Sequence, residues 1–256
     1  MTKRKREKLY LRTSDLARIA GVHPNTVRRY VDSGLIPAVE RTPKGYRCFT
    51  QHHLDCLRVA CLIYRSTYPG RGIRASAHNV LASAITGNWS AALQKSHAHL
   101  GFVQAEQSRA EAAVSAIEEW QAKKDTNTNS DGLLIGKVAE VLDVTIDMLR
   151  NWERNGLISI SRRAGNGYRL YMSADIQRLR VIRALTKAGY SQMAILRMLI
   201  QLDQGSITTT NDIRQTLDTP RPEDDVYVVA DHWLSTLAEQ EQVAHRLIAL
   251  VQAIID

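Results

Sequence analysis

The chain has 256 residues, of which 44% are hydrophobic and 23% are charged, a composition typical of an ordinary globular protein. No run of about 18 apolar residues occurs, so the sequence predicts no membrane span, and no apolar stretch of a signal peptide follows the basic N-terminus. The cysteines Cys48, Cys56 and Cys61 have neither the even count of a disulfide framework nor the close pairing of a structural zinc site. We therefore expect an intracellular protein with buried thiols and without a metal.

The net charge of +8 is unevenly placed along the chain. Residues 1–74 carry +11 and residues 133–199 carry +6, whereas residues 75–132 carry −2 and residues 200–256 carry −7. Two basic blocks thus alternate with two acidic ones. A polyanion such as DNA would be attracted to the basic blocks alone.

Two short helices joined by a turn are predicted near the start of the chain. Leu16 and Ile19 have the spacing of an apolar helix face. Glycine and proline within residues 21–24 break that helix, and a second helix is predicted over residues 25–33. Gly34 then ends the second helix in a left-handed cap. This arrangement predicts a helix-turn-helix.

A basic hairpin is predicted directly after this second helix. Residues 35–37 and 46–49 look like two short strands, and the turn-rich residues 42–45 connect them. A two-stranded ribbon is marginal in water by itself, so we expect it to pack on the helices. The unit is therefore a winged helix-turn-helix, followed by a third helix whose apolar positions begin at Leu54.

The whole unit occurs twice. Residues 11–65 align with residues 133–187 at a constant shift of 122, without a gap, and share 14 identities in 55 positions. In the second copy Thr145 is the expected N-cap of the second helix, and Gly156 ends it. A match of this length predicts one structural unit used two times.

A long helix is predicted after each winged unit, because apolar and small residues alternate there by three and four. We expect the two helices to pair as an antiparallel coiled coil within one chain. The alternatives are two ordinary amphipathic helices on a core, and a homodimer that displays four winged units. The predicted fold is mainly α. Its predicted parts are a basic arm (1–9), a winged helix-turn-helix domain (10–86), a coiled-coil helix (88–124), a linker (125–132), a second winged domain (133–205), a loop (206–230) and a second coiled-coil helix (231–256).

At these motifs the chain resembles the MerR family of bacterial transcription regulators. The first copy has Gly34-Leu35-Ile36 followed by Gly45-Tyr46-Arg47, and the second repeats both motifs at residues 156–158 and 167–169. The resemblance covers about half the chain. It implies DNA binding by dimers that are held by a long antiparallel helix and that distort promoter DNA. Family members usually have one DNA-binding unit per chain, so the duplication is a departure from the family pattern.

The candidate DNA-contact residues lie on the second helix and the wing of each copy. An α-helix fits the major groove, where base edges are read, and basic side chains of a wing can bind phosphates. We expect Arg28 to read a base and Arg47 to bind a phosphate. The full candidate set is Asn25, Thr26, Arg28, Arg29, Arg41, Lys44, Tyr46, Arg47, Asp147, Arg150, Asn151, Arg162, Arg163, Tyr168 and Arg169.

The sequence therefore favours a sequence-specific transcription regulator that binds double-stranded promoter DNA as a single-chain pseudo-dimer. RNA polymerase is a candidate further partner, and the expected location is the cytoplasm, on the nucleoid. A DNA-architectural or recombination-directing protein with the same winged units is the alternative. The sequence has no nucleophile-base pair and no phosphate-binding loop, so we expect neither an enzyme nor a cofactor.

Overall fold

A computed structural model of the chain describes residues 10–66, 70–122, 132–163, 167–207, 209–219 and 232–256. As predicted, the fold is mainly α, with small two-stranded antiparallel sheets. The strands are β1 (Glu40–Arg41), β2 (Arg47–Cys48), β3 (Leu133–Leu134) and β4 (Leu170–Tyr171). The helices are α1 (Thr13–Ile19), α2 (Pro24–Asp32), α3 (Gln51–Tyr64), α4 (Gly70–Ile85), α5 (Trp89–Ala122), α6 (Ile135–Leu142), α7 (Ile146–Arg154), α8 (Ser173–Lys187), α9 (Gln192–Asp203), α10 (Thr210–Asp218) and α11 (Trp233–Ile255).

The chain divides into two compact units, which we call the first and the second unit. The first unit comprises Met1–Gln104 and Glu239–Asp256, and the second comprises Ala105–Ala238. The helix α5 therefore gives its first half to the first unit and its second half to the second unit. The helix α11 begins in the second unit and continues through the first.

The core of the first unit lies beneath its helix-turn-helix and includes the end of α11. Leu247 and Val251 of α11 are fully buried in the same cluster as Leu16 of α1, Leu57 of α3 and Leu81 of α4. In addition, Gln104 of α5 donates a hydrogen bond to Glu241 of α11, with a distance of 2.9 Å between Nε2 and Oε1. The first winged unit thus completes its core with residues that follow the second winged unit in the sequence.

The second unit makes corresponding use of the second half of α5. The Tyr190 hydroxyl donates to the carbonyl of Ala110 at 3.4 Å. Arg214 of α10 lies 2.8 Å from the carboxylate of Glu111. Trp152 of α7, which is 1% exposed, lies in the core.

The turn between the two helices of each unit contains one residue in the left-handed conformation. A cation at the end of the helix that follows the wing, α3 or α8, contacts this residue. Gly21 has φ +60° in the first unit, and Asp143 has φ +47° at the aligned position in the second. The Arg65 guanidinium donates to the carbonyl of Gly21. At the position aligned with Arg65, Lys187 lies 3.6 Å from the Asp143 carboxylate. Each helix-turn-helix is therefore tied to the helix that follows its wing.

The prediction of a strand at residues 35–37 is wrong. Gly34 has the predicted left-handed conformation, with φ +68°. The N–H groups of Leu35 and Ile36 both donate to the carbonyl of Tyr30 and so close the end of α2. Because these groups are occupied by the helix cap, they are not available to a ladder, and β1 begins only at Glu40.

The prediction of a loop at residues 206–230 is wrong over α10. Thr209 accepts a hydrogen bond from the N–H of Asp212, and the Asp212 carboxylate accepts from the N–H of Thr209. This reciprocal capping starts the helix. Ile213 and Leu217 are fully buried one helical turn apart. The predicted basic arm at 1–9, residues 125–131 of the predicted linker and residues 220–230 of the predicted loop lie outside the described residues.

Among the helices of the described residues, none has both the length and the apolar character needed to cross a membrane. The thiols of Cys56 and Cys61 are buried, as predicted, whereas Cys48 is only half-buried. Burial raises the pKa of the Cys56 thiol to about 12, and this thiol donates to the carbonyl of Ala84.

Candidate nucleic-acid interface

The second helix of each helix-turn-helix has one buried and one exposed face. On α2, Val27 and Tyr30 are buried in the core, while Arg28 and Arg29 between them are exposed. On α7, Leu149 and Trp152 are buried, and Arg150 and Asn151 are exposed. The apolar pair at an interval of three fixes each helix on the core and leaves the polar pair in solvent. We call α2 and α7 the reading helices.

Each reading helix holds its first arginine by an oxygen three residues earlier. In the first unit the Arg28 guanidinium donates to Oδ1 of Asn25 at 2.8 Å. In the second unit Nη1 of Arg150 lies 3.3 Å from Oδ1 of Asp147, and the Asp147 side chain is 90% exposed. An ion pair this exposed is worth about 0–1 kcal/mol, so Arg150 remains available to a ligand. Arg28 is held by a neutral amide oxygen and is exposed as well.

The second polar residue of each pair is held differently. The Cζ atom of Arg29 lies 6.0 Å from the centre of the Tyr30 ring. Asn151 instead accepts a hydrogen bond from Asn155, at 2.8 Å. The first unit therefore presents a cation where the second presents an amide. Thr26, another candidate of the first reading helix, is half-buried.

The wings of the two units differ by one residue in their pairing. In the first wing Arg41 pairs with Arg47. In the second wing Arg169, aligned with Arg47, pairs with Arg162 rather than with Arg163, the residue aligned with Arg41. Arg162 also repeats the contact of Arg41, since each donates to the carbonyl of the turn glycine. Arg162 is therefore the structural counterpart of Arg41.

The wings present exposed aromatic and basic side chains. Tyr46 is 71% exposed and Tyr168 is 63% exposed, which is unusual for residues with large rings. Lys44 is also exposed, as are Arg41, Arg162 and Arg163.

Arg47 and Arg169, which were expected to bind phosphates, form ion pairs within the protein. Arg47 lies 3.3 Å from Oδ1 of Asp32. Arg169 lies 2.6 Å from Oε2 of Glu153. Neither acid was among the candidate residues. The sequence does contain a signal for these ion pairs, because each reading helix has an acidic residue in its last turn. The two acids lie one residue apart in the alignment.

A groove of about 650 Å³ separates the first wing from the start of the helix-turn-helix. Its walls come from the N-terminal turn of α1, the start of α2 and the wing. The lining includes Arg12, Thr13, Ser14, Arg28 and Tyr46. Hydroxyl groups beside arginines are groups that bind phosphate oxygens, so the groove extends the basic face of the reading helix. Sequence reasoning missed the residues of α1.

A histidine connects the base of the first wing to α3. The Nε2 of His53 lies 3.2 Å from the carbonyl of Ala38, and its Nδ1 accepts from the N–H of Thr50. Burial lowers the pKa of His53, and this effect outweighs the hydrogen bond to Ala38, which raises it. In the second unit the aligned residue is Asp175, whose carboxylate accepts from the N–H of Met172. The same cap is thus built from a neutral imidazole in one unit and a carboxylate in the other.

The described residues contain no group of three or more His, Cys, Asp or Glu side chains that could hold a metal ion.

Comparison with protein families gives a match for each winged unit. Residues 12–49 match the model described as "MerR family regulatory protein". Residues 133–202 match the model described as "MerR HTH family regulatory protein". These segments contain both reading helices and both wings.

Curated relatives match part of the chain. The nodulation protein NolA of Bradyrhizobium sp. (strain NC92) is 29% identical over 125 residues, which are 44% of this chain and 53% of that protein. The regulator ZntR of Escherichia coli (strain K12) is 36% identical over 70 residues, which are 27% of this chain and 50% of that protein. The mercuric resistance operon regulatory protein of Bacillus cereus is 48% identical over 46 residues, 18% of this chain and 35% of that protein. The chain thus spans about half, or less, of the length of these relatives, and no solved structure matches it.

Proposed function

Because both winged units of this chain belong to the MerR family, we propose that it is a sequence-specific regulator that binds double-stranded promoter DNA. The reading helices α2 and α7 lie in the major groove, and the wings contact the phosphate backbone. The observation that carries the proposal is the repeated placement of an exposed arginine, Arg28 or Arg150, beside an exposed basic wing. A helix for base edges and cations for phosphates are the two requirements of a sequence-specific binder.

Base reading by Arg28 predicts a loss of affinity that depends on sequence. We expect Arg28→Ala to cost about 1–3 kcal/mol on the selected site and to relax the preference at one position. Arg246→Ala is the matched control, because Arg246 is an exposed arginine of α11 in the same unit. Binding-site selection followed by titration of both variants measures the effect. Equal losses on all sequences would reduce Arg28 to a phosphate contact, and no binding to any duplex would refute the function.

We further propose that one chain acts as a pseudo-dimer, with α5 and α11 paired within it. The support is that α11 supplies Leu247 and Val251 to the core of the first unit, while Gln104 of α5 bonds to Glu241 of α11. Sedimentation equilibrium at micromolar concentration should give the mass of a single chain, 28.7 kDa. A species of twice that mass would favour the homodimer with four winged units.

The pseudo-dimer implies two unlike half-sites. The first turn of α2 carries Asn25 and Thr26, whereas that of α7 carries Asp147 and Met148. The N-terminal residues of a reading helix contact base edges, so the two helices have different preferences. We expect half-sites about one helical turn, or a multiple of it, apart. Selection of a perfect palindrome would contradict this expectation.

Promoter binding makes RNA polymerase the expected partner at the target sites. A genome-wide binding map tests this part of the proposal. Sites concentrated in promoters support regulation, whereas sites at recombination junctions or dispersed sites would support the architectural alternative.

A further inference from the structure

Each wing is tied to the end of its reading helix by one arginine. In the first unit Arg47 of β2 reaches Asp32, the last residue of α2, at 3.3 Å. In the second unit Arg169, directly before β4, reaches Glu153 near the end of α7 at 2.6 Å. We call these two ion pairs the wing clamps.

The clamps are better shielded than the Arg150–Asp147 ion pair of α7, and the second clamp is better shielded than the first. The side chains of Arg47 and Asp32 are 20% and 64% exposed, and those of Arg169 and Glu153 are 27% and 21% exposed. By contrast, the side chains of Arg150 and Asp147 are 56% and 90% exposed. Water screens a half-buried pair less, so it holds its geometry more firmly.

The two clamps use acids at different positions. Glu153 aligns with Val31 of the first unit, and Asp32 aligns with Arg154 of the second. The second wing also pairs one residue out of step with the first. The aligned arginines of the two units therefore both pair with an acid at the end of the reading helix, although the position of that acid and the pairing of the wing differ by one residue.

A brace of this kind meets a physical need of the wing. The strands β1 and β2 have two residues each, and a hairpin of that size is not stable by itself. Its angle to the reading helix must still be fixed if helix and wing are to contact one duplex together.

We propose that Arg47 and Arg169 are positioning residues that set the angle between wing and reading helix, and that they are not phosphate contacts. The phosphate contacts of the wings then fall to the exposed Arg41, Lys44 and Arg162. This inference rests on the proposed DNA binding and refines the roles within the same surface.

Substitution of the acid distinguishes the two roles by the sign of its effect. If Arg169 braces the wing, Glu153→Gln weakens binding to the selected site by about three- to tenfold, as expected for loss of a charge-assisted contact. If Arg169 binds a phosphate, the same change frees the arginine and removes a negative charge, so binding becomes tighter. Glu239→Gln, at an exposed position of α11, is the control for the lost charge.

The salt dependence and a charge swap complete the test. A clamp predicts that Arg169→Gln leaves the slope of log K against log salt unchanged, whereas loss of a phosphate contact flattens it by about one unit. The swapped pair, Glu153→Arg with Arg169→Glu, should restore most of the affinity. Thermal unfolding of each variant confirms that it is folded.

Tighter binding by Glu153→Gln, a flatter salt slope for Arg169→Gln, or no recovery in the swapped pair would overturn the clamp. Failure of the unaltered protein to bind DNA would instead refute the proposed function.

Discussion

Leu247 of α11 is the sharpest test of the pairing of the long helices within one chain. It is fully buried in the core of the first unit, although it follows the entire second winged unit in the sequence. Leucine to alanine substitutions in cores cost about 2–5 kcal/mol, because buried contacts are lost and a cavity remains. Leu247→Ala should therefore destabilise the first winged unit by this amount, out of the roughly 5–15 kcal/mol that stabilise a typical domain.

Amide hydrogen exchange can locate this loss. Amides of α3, in the first unit, should lose protection in Leu247→Ala more than amides of α8, in the second unit. The matched control is Ile255→Ala on the same helix, because the Ile255 side chain is 44% exposed and its truncation leaves no buried cavity. Unchanged protection of α3 would show that α11 does not complete the first unit.

The dependence of stability on protein concentration separates the single chain from a homodimer that exchanges α11. Unfolding of a single chain has a urea midpoint that does not change with concentration. The stability of an obligate dimer rises by roughly 2.7 kcal/mol for a hundredfold increase in concentration. A midpoint that rises in this way would refute the single-chain pairing, even if Leu247→Ala destabilises the protein as expected.

Further predictions concern the residues in which the two units differ. Asp147→Asn should tighten binding at low salt and shift the preference at one base pair by about 1–3 kcal/mol, away from cytosine and toward adenine. The reciprocal Asn25→Asp should shift the other half-site in the opposite direction, and selection that returns unchanged sites for both variants would contradict this. Because burial lowers the pKa of His53, the unfolded chain binds a proton more readily, so the first unit should lose stability as the pH falls below about 6.5. His53→Asn should flatten that dependence in urea titrations at pH 7.5 and 5.5, and equal slopes in both proteins would argue against His53 as the titrating group.

Features that depend on local pattern can be predicted from the sequence. The apolar pairs Val27 and Tyr30, and Leu149 and Trp152, are spaced so that one face of each reading helix must be buried. That spacing also fixes which side chains remain exposed. The position of Gly34 predicted the helix end, because a left-handed residue is required there. These features follow from helix geometry and needed no tertiary information.

The strand pairing of the wings could not be predicted from the hydrophobic pattern, because it depends on hydrogen bonds that the pattern does not indicate. Leu35 and Ile36 are apolar residues of the kind found in strands, but their N–H groups donate to the carbonyl of Tyr30. A gap-free alignment also placed Arg163 opposite Arg169, whereas the structure pairs Arg162 with Arg169. Six residues separate the paired Arg162 and Arg169, whereas five separate Arg41 and Arg47, although the two sequences align without a gap. The hydrophobic pattern does not indicate this change of register.

Helix α10 was missed even though its signals are present. The Thr209 and Asp212 capping pair and the spacing of Ile213 and Leu217 both indicate a helix. The run of threonines and the acidic, proline-containing residues 220–225 are typical of a loop. The residues of α10 have a weak helix propensity, but the capping pair and the burial of one helix face outweigh it.

The differences between the two units favour a division of roles on DNA. The first block, residues 1–74, carries +11 and the second, residues 133–199, carries +6. In the second reading helix Asp147 and Met148 replace Asn25 and Thr26, so the groups that the proposed binding brings nearest the bases become acidic and apolar. Neutralised phosphates govern the salt dependence of binding, while base-edge contacts govern its specificity. If both units bind as proposed, the first unit should contribute most of the salt-dependent affinity. The second unit should contribute less affinity but discriminate more strongly between sequences. The reason is that the Asp147 carboxylate is repelled by acceptor groups of the wrong base and by the phosphates of the DNA backbone.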